Sequence, residues 1–167
     1  MRKVPIVREK QITQWPEYDR LEGGLLNYWY PAMHARKLRG KVPMQILGES
    51  VVFVRDEGEV FALADRCLHR GTPMRFAKRD FPGTLSCIYH GWCYELKTGN
   101  LVAALTDGPD SPMVGKISIK TYPVEERFGL IWIYMGEGTP PSLEEDVPEE
   151  FLDPRNVCCI RISEQEG

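Results

Sequence analysis

Histidine is scarce in this sequence, and neither sign of charge is in strong excess. The 167 residues include three histidines, and 21 lysines and arginines nearly balance 24 aspartates and glutamates. The net charge of −3 gives no reason to expect a nucleic-acid partner. No run approaches the roughly 18 consecutive apolar residues of a membrane span, and the basic N-terminus lacks the apolar block of a secretory signal. We therefore expect a folded cytoplasmic protein without a membrane segment.

The five cysteines are an odd number, which argues against a disulfide framework. Two of the three histidines lie close to cysteines. Cys67 and His69 form a Cys-x-His motif, and Cys87 and His90 form a Cys-x-x-His motif. Any given Cys-to-His offset should occur only about 0.1 times by chance in a chain of this composition. The two motifs together therefore predict a four-ligand metal site.

Two thiolates and two imidazoles can hold two kinds of metal centre. In a Rieske 2Fe–2S centre, the thiolates bind one iron and the neutral imidazoles bind the other. Each motif supplies one cysteine and one histidine, so the two loops would hold the cluster from opposite sides. The alternative is structural zinc, which also accepts two cysteines and two histidines, although zinc fingers usually pair like with like. The spacing alone leaves both interpretations open.

Short apolar segments with turn residues between them predict an all-β fold of small antiparallel sheets. The predicted strands are residues 50–55, 60–64, 84–88, 92–96, 101–105, 117–123, 130–135 and 156–162. The first two should form a hairpin, and 117–123 should pair with 130–135 through a turn at 125–129. A short helix is expected within residues 13–26.

The composition suggests three segments along the chain. Residues 1–30 read as an N-terminal extension, and residues 31–136 as the metal-binding domain. Residues 137–167 begin with a stretch rich in proline, glycine and acid, which predicts a tether leading toward a further domain.

The residues around the ligands favour the cluster over zinc. The stretches Cys67-Leu68-His69-Arg70-Gly71 and Cys87-Ile88-Tyr89-His90-Gly91-Trp92-Cys93-Tyr94 resemble the two cluster loops of Rieske non-haem iron oxygenases. Residues 27–31, 122–126 and 129–134 carry further matches. The sequence is most similar to terminal oxygenase components of the carbazole dioxygenase and oxoquinoline monooxygenase type. The resemblance implies three small antiparallel sheets, with a cluster at one tip held by Cys67, His69, Cys87 and His90.

The resemblance also implies a function for the whole oxygenase. A ferredoxin or flavin reductase would give electrons to the cluster, which would pass them to a mononuclear non-haem Fe(II) in a C-terminal catalytic domain. That iron needs two histidines and a carboxylate, and only His34 remains here. We therefore expect the relay part of a larger, homotrimeric oxygenase of aromatic-ring or polycyclic compounds. The alternatives are a free-standing Rieske ferredoxin and a zinc-stabilised binding module.

Several neighbours of the motifs carry secondary expectations. Thr72 and Tyr89 stand where respiratory Rieske proteins have a disulfide, and Trp92 stands where they have a serine. Without that serine, a hydroxyl donor to a cluster sulfur is missing, which favours the oxidised cluster. This predicts a reduction potential at the low end of the Rieske range, on the order of −150 mV. We expect Trp92 and Tyr94 to wall the cluster pocket, and His34 to be structural or solvated. Cys93 alternates with its two aromatic neighbours, as a strand residue does, and we expect buried thiols at Cys158 and Cys159.

Basic residues crowd the first loop and the segment after it. They form either a solvated edge or a docking surface for an acidic redox partner. The residues concerned are Arg66, Arg70, Arg75, Lys78 and Arg79.

Overall fold

The computed structural model describes residues 26–153 and residue 155, which fold mainly as β-strands. The strands are β1 (Tyr28–His34), β2 (Lys41–Ile46), β3 (Glu49–Asp56), β4 (Glu59–Ala64), β5 (Thr84–Ser86), β6 (Trp92–Glu95), β7 (Leu101–Ala104), β8 (Thr121–Tyr122), β9 (Val124–Arg127) and β10 (Leu130–Met135). Helix α1 spans Leu143–Asp146, and short 3-10 helices span Ala35–Lys37, Met74–Phe76 and Glu149–Phe151. Within this part of the chain, no helix is long and apolar enough to cross a membrane.

The strands form three antiparallel sheets. Sheet I has the order β1-β10-β9, sheet II has the order β2-β3-β4-β8, and sheet III has the order β5-β6-β7. The expected all-β fold of small antiparallel sheets is therefore confirmed.

Sheet II is the middle layer, and its strand β3 is buried on both faces. Val51 and Phe53 pack with sheet I, whereas Val52 and Val54 pack with sheet III. Successive side chains of a strand point to opposite faces, so a strand between two layers needs an unbroken apolar run. The run Val51–Val54 is that segment, and each of its four residues has an exposed fraction of 0%.

The predicted hairpin of residues 50–55 and 60–64 is confirmed as β3 and β4. Its two-residue turn consists of Glu57 and Gly58, which have φ values of 48° and 89°. Positive φ at both central residues is the type I′ geometry that matches the twist of a hairpin. The three segments 84–88, 92–96 and 101–105 also form strands, although each strand is one or two residues shorter than expected.

The predicted pairing of residues 117–123 with 130–135 is wrong. Strand β10 pairs with β9 and β1, while β8 pairs with β4. Phe128 and Gly129 form a two-residue turn with φ values of 56° and 73°, so the nearest upstream residues become the partner of β10. Pro123 separates β8 from β9 and provides no N–H for a continuous ladder.

Three strands were not predicted, namely β1, β2 and β9, which occupies part of the expected turn at 125–129. Two predicted elements lie outside the described residues. Strand β1 pairs with a segment about 100 residues away in sequence, and β2 contains Pro43, which local propensity disfavours. The helix expected within residues 13–26 and the strand expected at 156–162 fall outside the described part, except for residue 26. Strand β1 begins three residues before the proposed domain boundary at residue 31.

The segment after β10 packs back on sheet I. Leu143 and Val147 are buried against Trp29 and Trp132. The Trp29 indole N–H donates to the Pro141 carbonyl at 3.0 Å. The first part of the proposed tether therefore covers the outer face of sheet I, where β10 needs apolar contacts on both faces.

Gly99, in the turn between β6 and β7, provides a test of packing. Its φ is +74°, and a Cβ there would lie 2.1 Å from the carbonyl oxygen of Ile119. We expect Gly99→Ala to lower the free energy of unfolding by about 2–4 kcal/mol, from backbone strain and overpacking together. Gly58→Ala, where φ is +89° and no atom lies within 4 Å, should lower it by about 1 kcal/mol. Urea midpoints at equal m-values measure both, and equal effects would contradict the packing argument.

Candidate metal centre

The two motif loops each form the same type of backbone turn. In the first loop, the N–H of Gly71 donates to the Cys67 carbonyl at 2.8 Å, and the N–H of Cys67 donates to the Thr72 carbonyl at 2.8 Å. In the second loop, the N–H of Gly91 donates to the Cys87 carbonyl at 2.9 Å, and the N–H of Cys87 donates to the carbonyl five residues further on, at 2.8 Å. Both glycines have positive φ, which closes such a turn without strain. The first loop leaves sheet II, and the second joins two strands of sheet III.

These turns bring the four predicted ligands together. Cys67 and Cys87 are buried, and their thiols lie close enough to interact with each other. The rings of His69 and His90 lie 4.5 Å apart between centroids, at an interplanar angle of 71°. The loops therefore present two thiols to each other and two imidazoles to each other.

The His69 ring contains an atom that fits a metal ligand. Its Nδ1 is buried and has no hydrogen-bond partner among the described residues. A buried polar atom without a partner is costly, so such atoms in folded proteins are usually satisfied by protein, water or an ion. A neutral imidazole nitrogen with a free lone pair is what iron binds. The residues present therefore fit a Rieske cluster.

The arrangement consists of two pairs of ligands. Among residues 26–153 and 155, no three His, Cys, Asp or Glu side chains lie close enough to hold one metal ion. A two-iron cluster makes a different demand, because each iron takes only two ligands from the protein. A pair of thiols beside a pair of imidazoles meets that demand.

The thiol of Cys67 is in contact with a buried tyrosine. The Tyr94 oxygen lies 3.4 Å from the Cys67 sulfur and accepts the backbone N–H of Leu68 at 3.2 Å. Burial raises the pKa of the Cys67 thiol, although the hydrogen bond from Tyr94 acts in the opposite direction. An iron would hold the Cys67 side chain as the thiolate, which can only accept, so Tyr94 would then donate its O–H to the sulfur.

The two imidazoles have different neighbours. The indole of Trp92 stacks on His69, with ring centroids 4.6 Å apart and planes 9° apart. Tyr89 lies beside His90 at 3.9 Å and 40°, but its own ring is largely exposed. Desolvation lowers the pKa of His90, and the nearby charges of His69 and Arg70 act in the same direction. This favours the neutral ring that a metal needs.

Other residues hold the loops in place, and the sequence analysis did not identify their role. The buried carboxylate of Asp65 accepts the backbone N–H of Arg75 at 2.6 Å and its side-chain Nε–H at 2.5 Å. This ties the entry of the first loop to the segment after it. Asp107 and Thr106 contact the second loop from the segment after β7. Nothing in their local sequence distinguishes these four residues, because their partners lie 10 or more residues away.

The remaining sequence candidates do not join the four ligands. His34 ends β1 in sheet I and is half-buried. Cys93 is buried on β6, where its sulfur accepts the Ser86 hydroxyl at 3.3 Å. Cys158 and Cys159 lie outside the described residues.

Comparison with known proteins identifies the class to which this fold and site belong. The Rieske [2Fe–2S] domain matches residues 28–123, which include both loops and more than half of the chain. The chain therefore belongs to the Rieske [2Fe–2S] domain family. This decides between the two metals that the spacing left open, in favour of the cluster.

Its relatives include terminal oxygenase components. The one of carbazole 1,9a-dioxygenase from Sphingomonas sp is 42% identical over 156 residues, which are 92% of this chain and 41% of the relative. The solved terminal oxygenase of carbazole 1,9a-dioxygenase from Nocardioides aromaticivorans IC177 has a TM-score of 0.77 and 43% identity, covering 84% of this chain and 39% of its own. The reduced complex between oxygenase and ferredoxin in carbazole 1,9a-dioxygenase matches with a TM-score of 0.73 and 38% identity. The match covers 77% of this chain and 34% of the matched chain.

The predicted resemblance to Rieske oxygenase terminal components is thus confirmed. The chain spans about two fifths of the length of the relatives it matches. Its similarity to oxygenase components favours the oxygenase interpretation over a free-standing ferredoxin.

The Tyr94 contact leads to a prediction about the reduction potential. The hydrogen bond to a ligand sulfur stabilises the more negative, reduced state, so Tyr94→Phe should lower the midpoint potential. For a one-electron couple, a tenfold change in equilibrium corresponds to about 59 mV, and we expect a decrease on the order of 50 mV. Tyr89→Phe removes an exposed hydroxyl from the second loop and should leave the potential unchanged. Protein-film voltammetry measures the midpoint potentials of both variants. Equal potentials in Tyr94→Phe and Tyr89→Phe would contradict the assigned hydrogen bond.

Proposed function

We propose that this chain holds a 2Fe–2S cluster through Cys67, His69, Cys87 and His90, and relays single electrons to the catalytic iron of an aromatic-ring or polycyclic oxygenase. The observation that carries the proposal is the meeting of two buried thiols and two imidazoles on twin loops. Membership of the Rieske family and similarity to terminal oxygenase components support it.

When bound, the cluster supplies one-electron chemistry, because it accepts and releases a single electron. The chain itself binds, orients and shields. Tyr94 and Trp92 are buried and exclude water from the ligands. Leu68, Ile88 and Tyr89 lie one or two residues after the two cysteines and are about half exposed or more, at 49%, 52% and 61%. They give the tip an apolar surface through which a partner can approach closely.

The rest of the proposed enzyme rests on the resemblance to Rieske non-haem iron oxygenases. We infer that the full protein carries a mononuclear non-haem Fe(II) in a further domain, assembles as a homotrimer and acts in the cytoplasm. Residues 137–167 would lead toward that domain, although residues 143–151 first pack on sheet I. Dioxygenation and monooxygenation are both compatible with a one-electron relay.

We infer that the electron donor is a ferredoxin, either alone or supplied by a flavin reductase. One matching structure is a complex between an oxygenase and its ferredoxin. The basic cluster predicted from sequence divides into two groups. Arg75 pairs with Asp65 and Arg79 with Asp56, at 2.5 and 2.9 Å. The other three cations are exposed and form no ion pair among the described residues. They are Arg66, Arg70 and Lys78.

Substitution of the ligands tests the proposed cluster. The purified chain should contain two irons and two acid-labile sulfides, and pulsed EPR of its reduced form should detect two coordinating histidines. Cys67→Ser and His90→Ala should each abolish the cluster spectrum, because a lost ligand leaves one iron underligated. Cys93→Ser and His34→Ala are matched controls that should keep it. Colourless protein with one zinc per chain would contradict the proposal.

Charge reversal tests the ferredoxin surface. Arg70 lies near His90, since its charge acts on that ring. We expect Arg70→Glu to slow electron transfer from a ferredoxin roughly tenfold at low ionic strength, with a smaller difference at high salt. Lys97→Glu makes the same charge change beyond the far end of β6 and should have little effect. Stopped-flow reduction measures the rates, and equal slowing by both variants would indicate a net-charge effect without a docking site.

A further inference from the structure

The ring of His69 is oriented by contacts other than hydrogen bonds. Its Nδ1 is buried without a partner, and no hydrogen bond to the ring occurs among residues 26–153 and 155. The contacts that remain are the edge of His90 and the parallel face of Trp92. The Trp92 and His69 planes differ by only 9°, so the indole packs flat against the imidazole.

The indole is itself held by one polar contact. Trp92 has an exposed fraction of 5%, and its Nε1–H donates to the Asp107 carboxylate at 3.2 Å. An indole N–H is a single donor with a fixed direction, so its acceptor determines how the ring is turned about its side-chain bonds.

Asp107 is held in a turn that contacts the second loop at two other points. Its own N–H donates to the Ala104 carbonyl at 2.9 Å, so the carboxylate begins from a fixed backbone. The Thr106 hydroxyl donates to the His90 carbonyl at 2.9 Å. The N–H of Leu105 donates to the Gly91 carbonyl at 3.2 Å.

We propose that Asp107 is a positioning residue of the metal centre, which fixes the plane of Trp92 and through it the plane of His69. The inference rests on the proposed ligand role of His69. It extends the centre beyond the two motif loops to a third segment, residues 105–107. The carboxylate acts here through its hydrogen bond, which is separable from the effect of its negative charge.

Three variants of the iron-loaded chain separate the hydrogen bond from the charge. Asp107→Ala removes both, while Asp107→Asn removes the charge and keeps an oxygen acceptor. Asp110→Ala removes an exposed carboxylate three residues further along the chain and is the matched control. The readouts are the g-values of the reduced cluster and the two histidine nitrogen couplings in pulsed EPR, which depend on how the imidazole planes are oriented at their iron.

We expect Asp107→Ala to shift the g-values and one of the two histidine couplings, leaving the other coupling as in the wild type. Asp107→Asn and Asp110→Ala should keep both. The midpoint potential should rise in both Asp107 variants alike, since each loses one negative charge near the centre. Trp92→Phe keeps an aromatic face and the Asp107 charge but has no N–H donor, so it should reproduce the spectral shift of Asp107→Ala.

Wild-type couplings in Asp107→Ala, or equal spectral shifts in Asp107→Ala and Asp107→Asn, would overturn the positioning role. If Asp107→Ala failed to retain the cluster, Trp92→Phe with a wild-type spectrum would overturn it equally. A wild-type chain without two coupled histidines would instead refute the ligand set. The two failures are therefore distinguishable.

Discussion

The metal centre depends on a backbone turn that is used twice. In each loop, a glycine four residues after the cysteine donates its N–H back to the cysteine carbonyl. Both glycines have φ near +70°, at 73° and 65°, which a residue with a Cβ adopts only with strain. At Gly91 a Cβ would also lie 2.9 Å from that of Leu105. The cysteine thiols and the histidine rings can meet only where these two turns close.

The repeated turn does not make the two sides of the site equivalent. The histidine follows its cysteine by two residues in the first loop and by three in the second. His69 is covered by the face of a buried indole, whereas His90 lies beside an exposed tyrosine and a surface arginine. One imidazole is thus anchored from within the domain, and the other lies nearer to solvent and to any partner. An electron relay needs both properties, since the cluster must be held rigidly and yet be approached closely.

The sequence predicts the parts of this structure that depend on local chemistry. The candidate ligands Cys67, His69, Cys87 and His90 can be predicted because cysteine and histidine are scarce and their spacing is improbable by chance. The hairpin of β3 and β4 was found because its turn residues and apolar runs are adjacent. The pairing of β10 with β9 is not predicted, because it is decided by a two-residue turn at Phe128 and Gly129. Strand β1 is not predicted either, because its partner β10 lies about 100 residues away in the sequence. Asp107 and Asp65 were missed for a related reason, since each acts on a residue that only folding brings near.

The layered core explains why the side chains of the two motif loops can be held in fixed positions, although the loops themselves carry little secondary structure. The first loop leaves sheet II and the second belongs to sheet III, so the site lies where two layers meet. One apolar cluster contains Val52 from sheet II, Leu85 from sheet III, and the loop residues Cys67 and Cys87. Close-packed interiors yield little, so movement of one loop relative to the other would disturb this cluster as a whole. The same packing that buries the sheets therefore fixes the separation of the two loops. Two polar contacts add to this packing: Asp65 connects the entry of the first loop to the segment after it, and Asp107 accepts the N–H of the indole that stacks on His69.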